Sequence, residues 1–460
     1  MNKRGNFLIR WDHSFSPSDF LTSLNTHAIK MCITTNSPTK AATNKGLNNL
    51  EPVSKARYFP ESRIECDEKN EVTHPVLVGS LTPPPKVKVL NFSPGPTSLA
   101  DGVEKEIMSL FDKNSHDRLC SMYLSHRSPE FAEILEKAVA LTREVMEVPN
   151  NYEILFMHGG GHGQFSAIPL NLCTNGFEKA TYLVNGTWSK RAAKEAAKYC
   201  NPIVISSERK DDVFESMPDM DKIDPESKYV YLCSNETVSG IELHRLPELD
   251  TTAPLVIDAS SDFTTKPVDW VGSNVGILYA CASKNIGHPG ITLCVIRKDL
   301  LGCASPFCSS ILNYTTNIAS GNLYNTISTF NVEVVGIVMK WLRDQGGVHE
   351  MELRSIAKSS MLYDLIDNSD GFYSTPIKDE CLRSRMNIPF DVARGDKELT
   401  NDFLIQAWEL GIVGLRTLTP FGVGKYLRAS LYNGVSIKKA KILVEFMERF
   451  VQENSHRWQR

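Results

Sequence analysis

The stretch Gly276–Gly290 reads GILYACASKNIGHPG, and its first half indicates how the chain folds. Apolar and aromatic residues run for the length of a strand, small residues follow, and then comes Lys284. Comparable apolar runs recur between helix-like stretches, at Tyr152–His158, Ala180–Gly186, Lys228–Thr237, Ala253–Ser261 and Ile291–Asp299. Near-continuous apolar strands separated by helices are typical of a mostly parallel sheet covered on both faces. The sequence therefore predicts an α/β fold in which ligands bind beyond the carboxyl ends of the strands.

The composition narrows the class of protein. With 460 residues, 42% of them apolar and 23% charged, the chain is typical of a soluble globular protein of two or three domains. Its net charge of −4 gives no reason to expect nucleic acid or an anionic membrane as a partner. No apolar run approaches the roughly 18 residues that span a bilayer. The 11 cysteines include no C-x-x-C pair, so we expect no disulfide framework and no zinc site, and a reducing, cytoplasmic compartment.

Residues 1–86 differ from the rest and are expected to form an N-terminal extension. The first 50 residues contain six Lys or Arg but only two acids, Asp12 and Asp19, among many Ser, Thr and Asn. This bias fits a transit peptide, which would place the protein in an organelle rather than the cytoplasm. It fits a disordered tail equally, or an upstream extension before a start at Met31.

The remaining chain is expected to form two domains. Residues 87–344 would be a large ligand-binding domain, whose first residues are candidates for packing against the second domain. Residues 345–460 would be a smaller α+β domain, because long amphipathic helices flank the pair Gly346–Gly347 and two strand-like runs follow. Those runs are Arg383–Val392 and Lys425–Asn433, each succeeded by a helix-like stretch.

A glycine-rich segment, HGGGHGQF at His158–Phe165, joins a predicted strand to a predicted helix. Three consecutive glycines permit a tight turn whose N–H groups converge beside a helix N-terminus, which suits a phosphate. A purely structural turn is the alternative. His158 and His162 are four residues apart, but the glycines between them argue against a helix that would pair them, so we expect no metal site.

Two charged residues at predicted strand ends point to a specific cofactor. Asp258 ends a buried strand, where a carboxylate needs a cation or several donors, although capping the next helix is an alternative. Lys284 ends another, and a desolvated lysine has a lowered pKa and can form a Schiff base. Pyridoxal phosphate requires such a lysine, an acid for its ring nitrogen and an anchored phosphate. Trp188, also after a strand, could stack on the ring or simply belong to the core.

Longer motifs carry a resemblance to a known family. The chain is similar to the phosphoserine aminotransferases, class V pyridoxal-phosphate-dependent enzymes of fold type I. The similarity runs from about Asn91 to Phe450 and rests on motifs that include NFSPGPTSL (Asn91–Leu99), SHRSPEF (Ser125–Phe131), GGGHGQFSAIPLNL (Gly159–Leu172), GTWSKRAAKEAAKY (Gly186–Tyr199), SNETVSGIE (Ser234–Glu242), YNTISTF (Tyr324–Phe330), SRMNIPF (Ser384–Phe390) and RASLYN (Arg428–Asn433).

The resemblance implies a role for each candidate site residue. Lys284 would be the catalytic Schiff-base lysine and Asp258 the partner of the pyridinium nitrogen. Trp188 would stack on the cofactor ring, and Thr237 would hydrogen-bond to the cofactor. The residues implied at the cofactor phosphate are Gly161 and His162, together with Asn325 and Thr326 from a neighbouring subunit, which implies a homodimer with shared active sites. The residues implied at the substrate are His126 and Arg127 at its distal anion and Arg428 at its α-carboxylate.

The implied activity is amino-group transfer between L-glutamate and 3-phosphohydroxypyruvate in serine biosynthesis, giving O-phospho-L-serine and 2-oxoglutarate. Three positions depart from the family pattern. Ser283 replaces a glutamine that helps to hold the cofactor phosphate, and NTISTF replaces NTPPTF. The region Leu415–Ser430 lacks the family's His-Arg pair for the substrate phosphate, and the candidates to replace it, Arg416 and Lys425, are not in register with that pair. A relative with an unphosphorylated keto-acid acceptor, or a non-catalytic homologue, therefore remains an alternative.

Overall fold

The computed structural model describes residues 86–112, 118–210, 213–419 and 422–458. The strands are β1 (Leu90–Asn91), β2 (Tyr152–Met157), β3 (Lys179–Val184), β4 (Asn201–Ser206), β5 (Glu208–Lys210), β6 (Val213–Ser216), β7 (Val230–Cys233), β8 (Asn235–Glu236), β9 (Ile241–Glu242), β10 (Leu255–Asp258), β11 (Val275–Cys281), β12 (Thr292–Arg297), β13 (Tyr373–Ser374), β14 (Asn387–Val392), β15 (Ile412–Val413), β16 (Arg416–Thr419) and β17 (Gly422–Ser430). The α-helices are α1 (Asp101–Ser109), α2 (Pro129–Val145), α3 (Gly160–Leu172), α4 (Thr187–Ala196), α5 (Tyr314–Ala319), α6 (Thr329–Asp344), α7 (Gly347–Asp367), α8 (Lys397–Glu409) and α9 (Ile437–Trp458).

A seven-stranded sheet lies at the centre of the first part of the chain, in the order β2-β12-β11-β10-β7-β3-β4. Neighbouring strands are parallel except at β12, which runs antiparallel to both β11 and β2. Residues 282–291 connect β11 to β12, and so short a connection favours a direct reversal over a crossover helix. The mostly parallel α/β sheet expected from the sequence is therefore confirmed.

The strands of this sheet are apolar throughout because helices cover both faces. Successive side chains of a strand point to opposite faces. In β10, Leu255 and Ile257 belong to the core that contains α2 and α6, whereas Val256 belongs to the core that contains α3 and α4. Both faces thus bury apolar side chains, which accounts for runs with no polar alternation.

The C-terminal part contains a second sheet with its own core. Strands β13, β14, β17 and β16 form a four-stranded antiparallel sheet, and α7, α8 and α9 supply apolar residues to the core beside it. Phe403 lies at the centre of an aromatic cluster, with ring centroids 5.0 Å from Phe446, 5.1 Å from Phe450 and 5.8 Å from Phe390. Such tilted and edge-to-face pairs fill space at near-crystalline density.

The two cores share chain segments at both sequence boundaries. Leu90 and Phe92 are buried in the second core, and β1 pairs in parallel with β15. Helix α7 contributes Met351 to the first core and Leu362 to the second. The division into residues 87–344 and 345–460 stays a prediction. The predicted extension, residues 1–86, lies outside the described residues except for Lys86. Within the described ranges, every helix is too short or too polar to span a lipid bilayer.

Candidate active site

A cavity of about 850 Å³ opens at the carboxyl edge of the large sheet. Six of the sheet's strands are mutually parallel, so the residues that follow them meet at this edge. The predicted site residues that line the cavity are Gly161, His162, Trp188, Thr237, Asp258, Ser283, Lys284 and Arg428. The structure therefore brings together one lysine, one aspartate and one arginine that are up to 170 residues apart in the sequence.

Lys284 lies three residues beyond the end of β11, in the wall of the cavity. The Pro94–Pro96 segment approaches it closely, because a Cβ placed on Gly95 would lie 3.4 Å from Lys284 Cγ. Burial lowers the pKa of the Lys284 ammonium, but the side chains of Tyr432, Cys281 and Asp258 outweigh burial, so the pKa is raised. The expectation of a lowered pKa is wrong in this environment, since it considered desolvation without the neighbouring Tyr432, Cys281 and Asp258 side chains.

Asp258 is the last residue of β10 and only 4% exposed. Its Oδ1 accepts a hydrogen bond of 3.0 Å from the Ser260 backbone N–H. No lysine or arginine of the described ranges lies within ion-pair distance of this carboxylate. A buried carboxylate without a cation is unfavourable. A protonated ring nitrogen in the cavity would supply the missing charge, so Asp258 fits pyridoxal phosphate.

The glycine segment forms the start of α3 rather than a turn before it. Gly159 has φ of 97°, and the helix begins at Gly160, so His162 lies in its first turn. The helix therefore includes Gly160 and Gly161, because its first turn can accommodate φ of 61° at Gly160, but it does not extend back to His158, as expected from the intervening glycines. A Cβ on Gly161 would lie 3.9 Å from Asp258 Oδ2. The first-turn N–H groups of α3, which have no intrahelical acceptor, can thus hold an anion in the cavity.

The two histidines of the glycine segment are not paired on one helix. His158 precedes α3 whereas His162 lies within it, so they do not share one helix face. In the part of the chain that the structure describes, no cluster of three or more His, Cys, Asp or Glu side chains could hold a metal ion.

Trp188 and Thr237 are joined by a hydrogen bond that the sequence did not predict. The indole Nε1 donates to Thr237 Oγ1 over 2.7 Å. Glu236, which is fully buried, accepts from the backbone N–H groups of Trp188 and Ser189 and so caps α4. Burial raises the pKa of the Glu236 carboxyl. Glu236 was overlooked as a positioning residue, although it lies inside the SNETVSGIE motif, where an acid follows a buried strand.

Arg428 comes from β17 in the second sheet and is 5% exposed. Its Nη1 donates a hydrogen bond of 2.6 Å to the Thr237 carbonyl. The buried Nε has no acceptor among the described residues. Burial lowers the pKa of Arg428. An arginine buried at a cavity wall with an unused donor is well suited to a carboxylate ligand.

A network of polar side chains connects the two sheets behind the cavity. Asn235 Nδ2 donates to Asn387 Oδ1 over 2.8 Å, and Asn387 Nδ2 donates to Tyr432 Oη over 3.1 Å. The Tyr432 hydroxyl in turn donates to the Pro94 carbonyl over 2.7 Å. All three side chains are buried. This network fixes β14 and the segment after β17 relative to the large sheet, and no single sequence motif predicts it.

Four predicted residues do not line this cavity: His126, Arg127, Asn325 and Thr326. The segments that carry them are nevertheless adjacent, because the Thr329 hydroxyl donates to the Ser121 carbonyl over 2.6 Å. Neither candidate for replacing the missing His-Arg pair lines the cavity. Arg416 Nη2 instead contacts Asn401 Oδ1 at 3.2 Å, and Lys425 lies beside Tyr426.

Comparison with known proteins identifies relatives over most of the chain. The family model for aminotransferase class-V matches residues 89–443. A phosphoserine aminotransferase from Drosophila melanogaster is 39% identical over 374 residues, which is 80% of this chain and 100% of the relative. One from Ralstonia nicotianae is 39% identical over 372 residues, covering 79% and 96%. The chloroplastic phosphoserine aminotransferase 2 of Arabidopsis thaliana is 37% identical over 366 residues, covering 79% and 84%.

Solved structures give the same result. Phosphoserine aminotransferase from Bacillus circulans subsp. alkalophilus matches with a TM-score of 0.74 and 32% identity, over 80% of this chain and 99% of that one. Phosphoserine aminotransferase from Trichomonas vaginalis, solved with bound pyridoxal phosphate, matches with a TM-score of 0.71 and 31% identity, over 78% and 100%.

Proposed function

The chain belongs to the class V aminotransferases, and from that premise we propose that it is a phosphoserine aminotransferase. It would transfer the amino group between L-glutamate and 3-phosphohydroxypyruvate, giving 2-oxoglutarate and O-phospho-L-serine for L-serine biosynthesis. The observation that carries this proposal is the meeting of Lys284, Asp258 and Arg428 in one cavity. The names of its relatives, at 37–39% identity, support the choice of substrate.

The cofactor of this enzyme is pyridoxal phosphate, which when bound supplies an electron sink and a carrier for the amino group. Asp258 would keep the ring nitrogen protonated, and Trp188 would stack on the ring. The Thr237 hydroxyl accepts from Trp188, so its hydrogen remains available to donate into the cavity. The residues proposed at the phosphate are Gly161 and His162 in the first turn of α3, with Ser283 beside them.

Lys284 would have two tasks. Its Nζ would hold the cofactor covalently between turnovers, and once displaced by the amino acid it would act as the general base and acid for the substrate Cα proton. A raised pKa favours the charged amine, so Lys284 is suited to delivering a proton as well as accepting one. Arg428 would orient each substrate by bidentate contact with its α-carboxylate.

We propose a homodimer in which each cavity is completed by the partner. Asn325 and Thr326 would reach the cofactor phosphate, and His126 and Arg127 the distal anion of the substrate, each from the partner subunit. Two features support this arrangement. None of the four lines the cavity of its own chain, and the two adjacent segments that carry them expose large apolar side chains, Leu119, Met122, Tyr123 and Tyr324. Apolar side chains exposed around predicted site residues favour burial against a second copy.

An aminotransferase with an unphosphorylated acceptor is the second candidate function. The observation that favours it is that neither Arg416 nor Lys425 lines the cavity, so the family's His-Arg pair has no replacement from β16 or β17 among the described side chains. The ratio of kcat/KM for 3-phosphohydroxypyruvate to that for pyruvate or glyoxylate separates the two functions. A ratio near unity would favour the second.

The test of the main proposal is product formation by the purified holoenzyme. Glutamate and 3-phosphohydroxypyruvate should yield O-phospho-L-serine, and the Lys284→Ala variant should bind the cofactor but lose turnover. No phosphoserine from the wild-type protein would refute the assignment. Full turnover in Lys284→Ala would refute the role given to this lysine.

For the compartment, we propose the cytoplasm, with an organelle as the alternative. The nine cysteines that the structure records as free fit a reducing compartment. Localising the full chain and a chain without residues 1–86, each fused to a fluorescent protein, separates the two. Movement from an organelle to the cytoplasm on truncation would establish a targeting role for the extension.

A further inference from the structure

Arg191 is a cation of the active-site cavity that none of the roles above uses. It lies on α4 three residues after Trp188 and lines the same cavity as Lys284 and Arg428. Its guanidinium carbon is 5.0 Å from the centroid of the Trp188 ring. Because residues three apart on a helix share a face, α4 brings the indole and the guanidinium to the cavity together.

The described parts of the chain offer Arg191 no salt bridge and no hydrogen-bond acceptor, although its side chain is partly buried. Other partly buried arginines do have partners. Arg385 contacts Glu352 at 3.1 Å, and Arg297 contacts Asp299 at 2.7 Å. Arg191 therefore keeps its N–H donors for something outside the described chain.

The contact with Trp188 prepares Arg191 for a particular kind of ligand. A guanidinium held over the face of an indole is attracted to the ring and keeps the N–H donors along its edge available to a ligand. That edge binds a carboxylate or phosphate bidentately. A lysine at this position would offer only a point charge on a flexible stem.

The surroundings of Trp188 favour a phosphate. The ring of His162, in the first turn of α3, is 5.7 Å from the Trp188 ring on centroids, so Arg191 and the anion-binding end of α3 border the same indole. Ser283, which also lines the cavity, has a short side chain with one hydroxyl and carries no charge. Phosphate therefore has few charged partners here unless Arg191 provides one.

We infer that Arg191 is an anion-binding residue of this cavity and that its ligand is a phosphate monoester. The inference rests on the proposed function, in which both the cofactor and the keto-acid substrate are phosphate monoesters. The chemistry recognised is the same in the two cases, and the experiment distinguishes the two sources.

The first arm measures cofactor binding without turnover. Apoprotein is titrated with pyridoxal phosphate and with pyridoxal, which lacks the phosphate. The Kd for pyridoxal divided by the Kd for pyridoxal phosphate isolates the contribution of the phosphate. Arg191→Gln should reduce this ratio roughly ten- to hundredfold, and Arg191→Lys should restore part of it. Lys190→Gln is the matched control, because Lys190 is the exposed neighbour on α4, does not line this cavity and loses the same charge.

The second arm measures substrate binding. The KM for O-phospho-L-serine and the KM for L-glutamate are compared in the half-reaction with saturating cofactor. If Arg191 holds the substrate phosphate, Arg191→Gln should raise the first KM roughly ten- to hundredfold relative to the second. Lys190→Gln should leave the ratio of the two unchanged.

The outcomes decide the inference independently of the proposed function. A loss confined to the first arm assigns Arg191 to the cofactor phosphate, and a loss confined to the second assigns it to the substrate. Unchanged ratios in both arms, or equal losses in Lys190→Gln, overturn the inference. If the wild-type protein makes no phosphoserine, the proposed function fails, but the first arm still tests Arg191.

Discussion

Trp188 and Thr237 are joined by a hydrogen bond of 2.7 Å from the indole Nε1 to the threonine Oγ1, although they follow different strands of the sheet. The carbonyl of the same threonine accepts from Arg428 over 2.6 Å. Thr237 thus contacts both the residue proposed to cover the cofactor ring and the residue proposed to bind the substrate carboxylate. Its side chain serves the first contact and its backbone the second.

This separation predicts a selective effect of Thr237→Val. The substitution removes the hydroxyl and leaves the indole N–H without its acceptor, while the carbonyl contact with Arg428 remains. We expect cofactor affinity to fall by about 1–2 kcal/mol, or roughly five- to thirtyfold, with little change in the KM for glutamate. Titration of the apoprotein with pyridoxal phosphate measures the loss. Thr237→Ser retains the hydroxyl and serves as the control, and equal affinities in the two variants would contradict the role of the hydroxyl.

The shared site predicts complementation between two inactive variants. In a homodimer, Lys284 of one subunit and Arg127 of the partner subunit would serve the same cavity. Mixing Lys284→Ala with Arg127→Ala and allowing subunits to exchange should create heterodimers with one intact cavity, and about a quarter of wild-type activity should return. The measurement is the rate of phosphoserine formation before and after exchange.

The matched control for complementation uses two changes that fall in the same cavity. The control mixes Lys284→Ala with Arg428→Ala. Because both residues line the cavity of their own chain, each subunit of the mixed dimer then carries one change in its own cavity, and neither cavity is intact. An intact cavity would arise only if both changes were on the same subunit and the other subunit were wild type. Placed on separate subunits they should restore no activity, and recovery there would contradict the proposed sharing.

A buried ion triad predicts a large stability effect at Lys266. Its ammonium contacts Asp262 at 2.7 Å and Glu242 at 2.8 Å, and all three side chains are buried. Lys266→Met would leave two buried carboxylates without a cation, so we expect the free energy of unfolding to fall by about 3–5 kcal/mol. Urea denaturation measures it. The exposed pair Lys222–Asp219 is the control, and Lys222→Met should lower the free energy of unfolding far less, because solvent screens this pair. Equal losses in both variants would contradict the prediction.

Lys358 predicts a pH dependence of stability. Its buried ammonium donates to the carbonyls of Leu431, Tyr432 and Val435 at 2.7–2.9 Å, and burial, with a smaller effect of Arg354, lowers its pKa to about 7. Between pH 7 and about 10.4 the unfolded chain keeps a proton that the folded chain has released, so the free energy of unfolding should rise with pH. This one group contributes up to about 1.4 kcal/mol per pH unit there, and nothing further below pH 7.

The measurement for Lys358 is urea denaturation at pH 7.5 and pH 9.0. Lys358→Met should lack about 1–2 kcal/mol of the wild-type increase between the two pH values. Lys441→Met, at an exposed lysine of α9, should retain the wild-type slope. The same slope in wild type and Lys358→Met would mean that the three carbonyl contacts keep Lys358 charged in the folded chain.

Much of the fold could be predicted because it depends on local patterns. Apolar runs with no polar alternation predicted strands buried on both faces, and the Gly346–Gly347 pair predicted the break between α6 and α7. The antiparallel direction of β12 was not predicted, because it depends on the length of the connection from β11 rather than on the strand itself. The helical start of α3 at Gly160 was missed because glycine has low helix propensity, which a tertiary position overrides here.

The site was predictable where a charge stands at a strand end. Asp258 and Lys284 are conspicuous there, since both interrupt apolar surroundings. The residues that position the rest of the cavity are not conspicuous. Glu236 caps α4, and the pair Asn235–Asn387 joins the two sheets, but each looks like an ordinary polar residue until the chain has folded. The raised pKa of Lys284 could not be predicted either, because it depends on Tyr432, which is 148 residues away in the sequence.

The pairing of β1 with β15 has a consequence for biosynthesis. Phe92 leaves the ribosome early, but its core also needs Phe446 and Phe450, which are made roughly 350 residues later. At about 5–20 residues per second, that delay is roughly 20–70 s. During this time the large sheet can already form, while the apolar side chains of Leu90 and Phe92 have no permanent neighbours. The growing chain is therefore a natural client for chaperones that shield exposed apolar segments, and the second core closes only when synthesis is nearly complete.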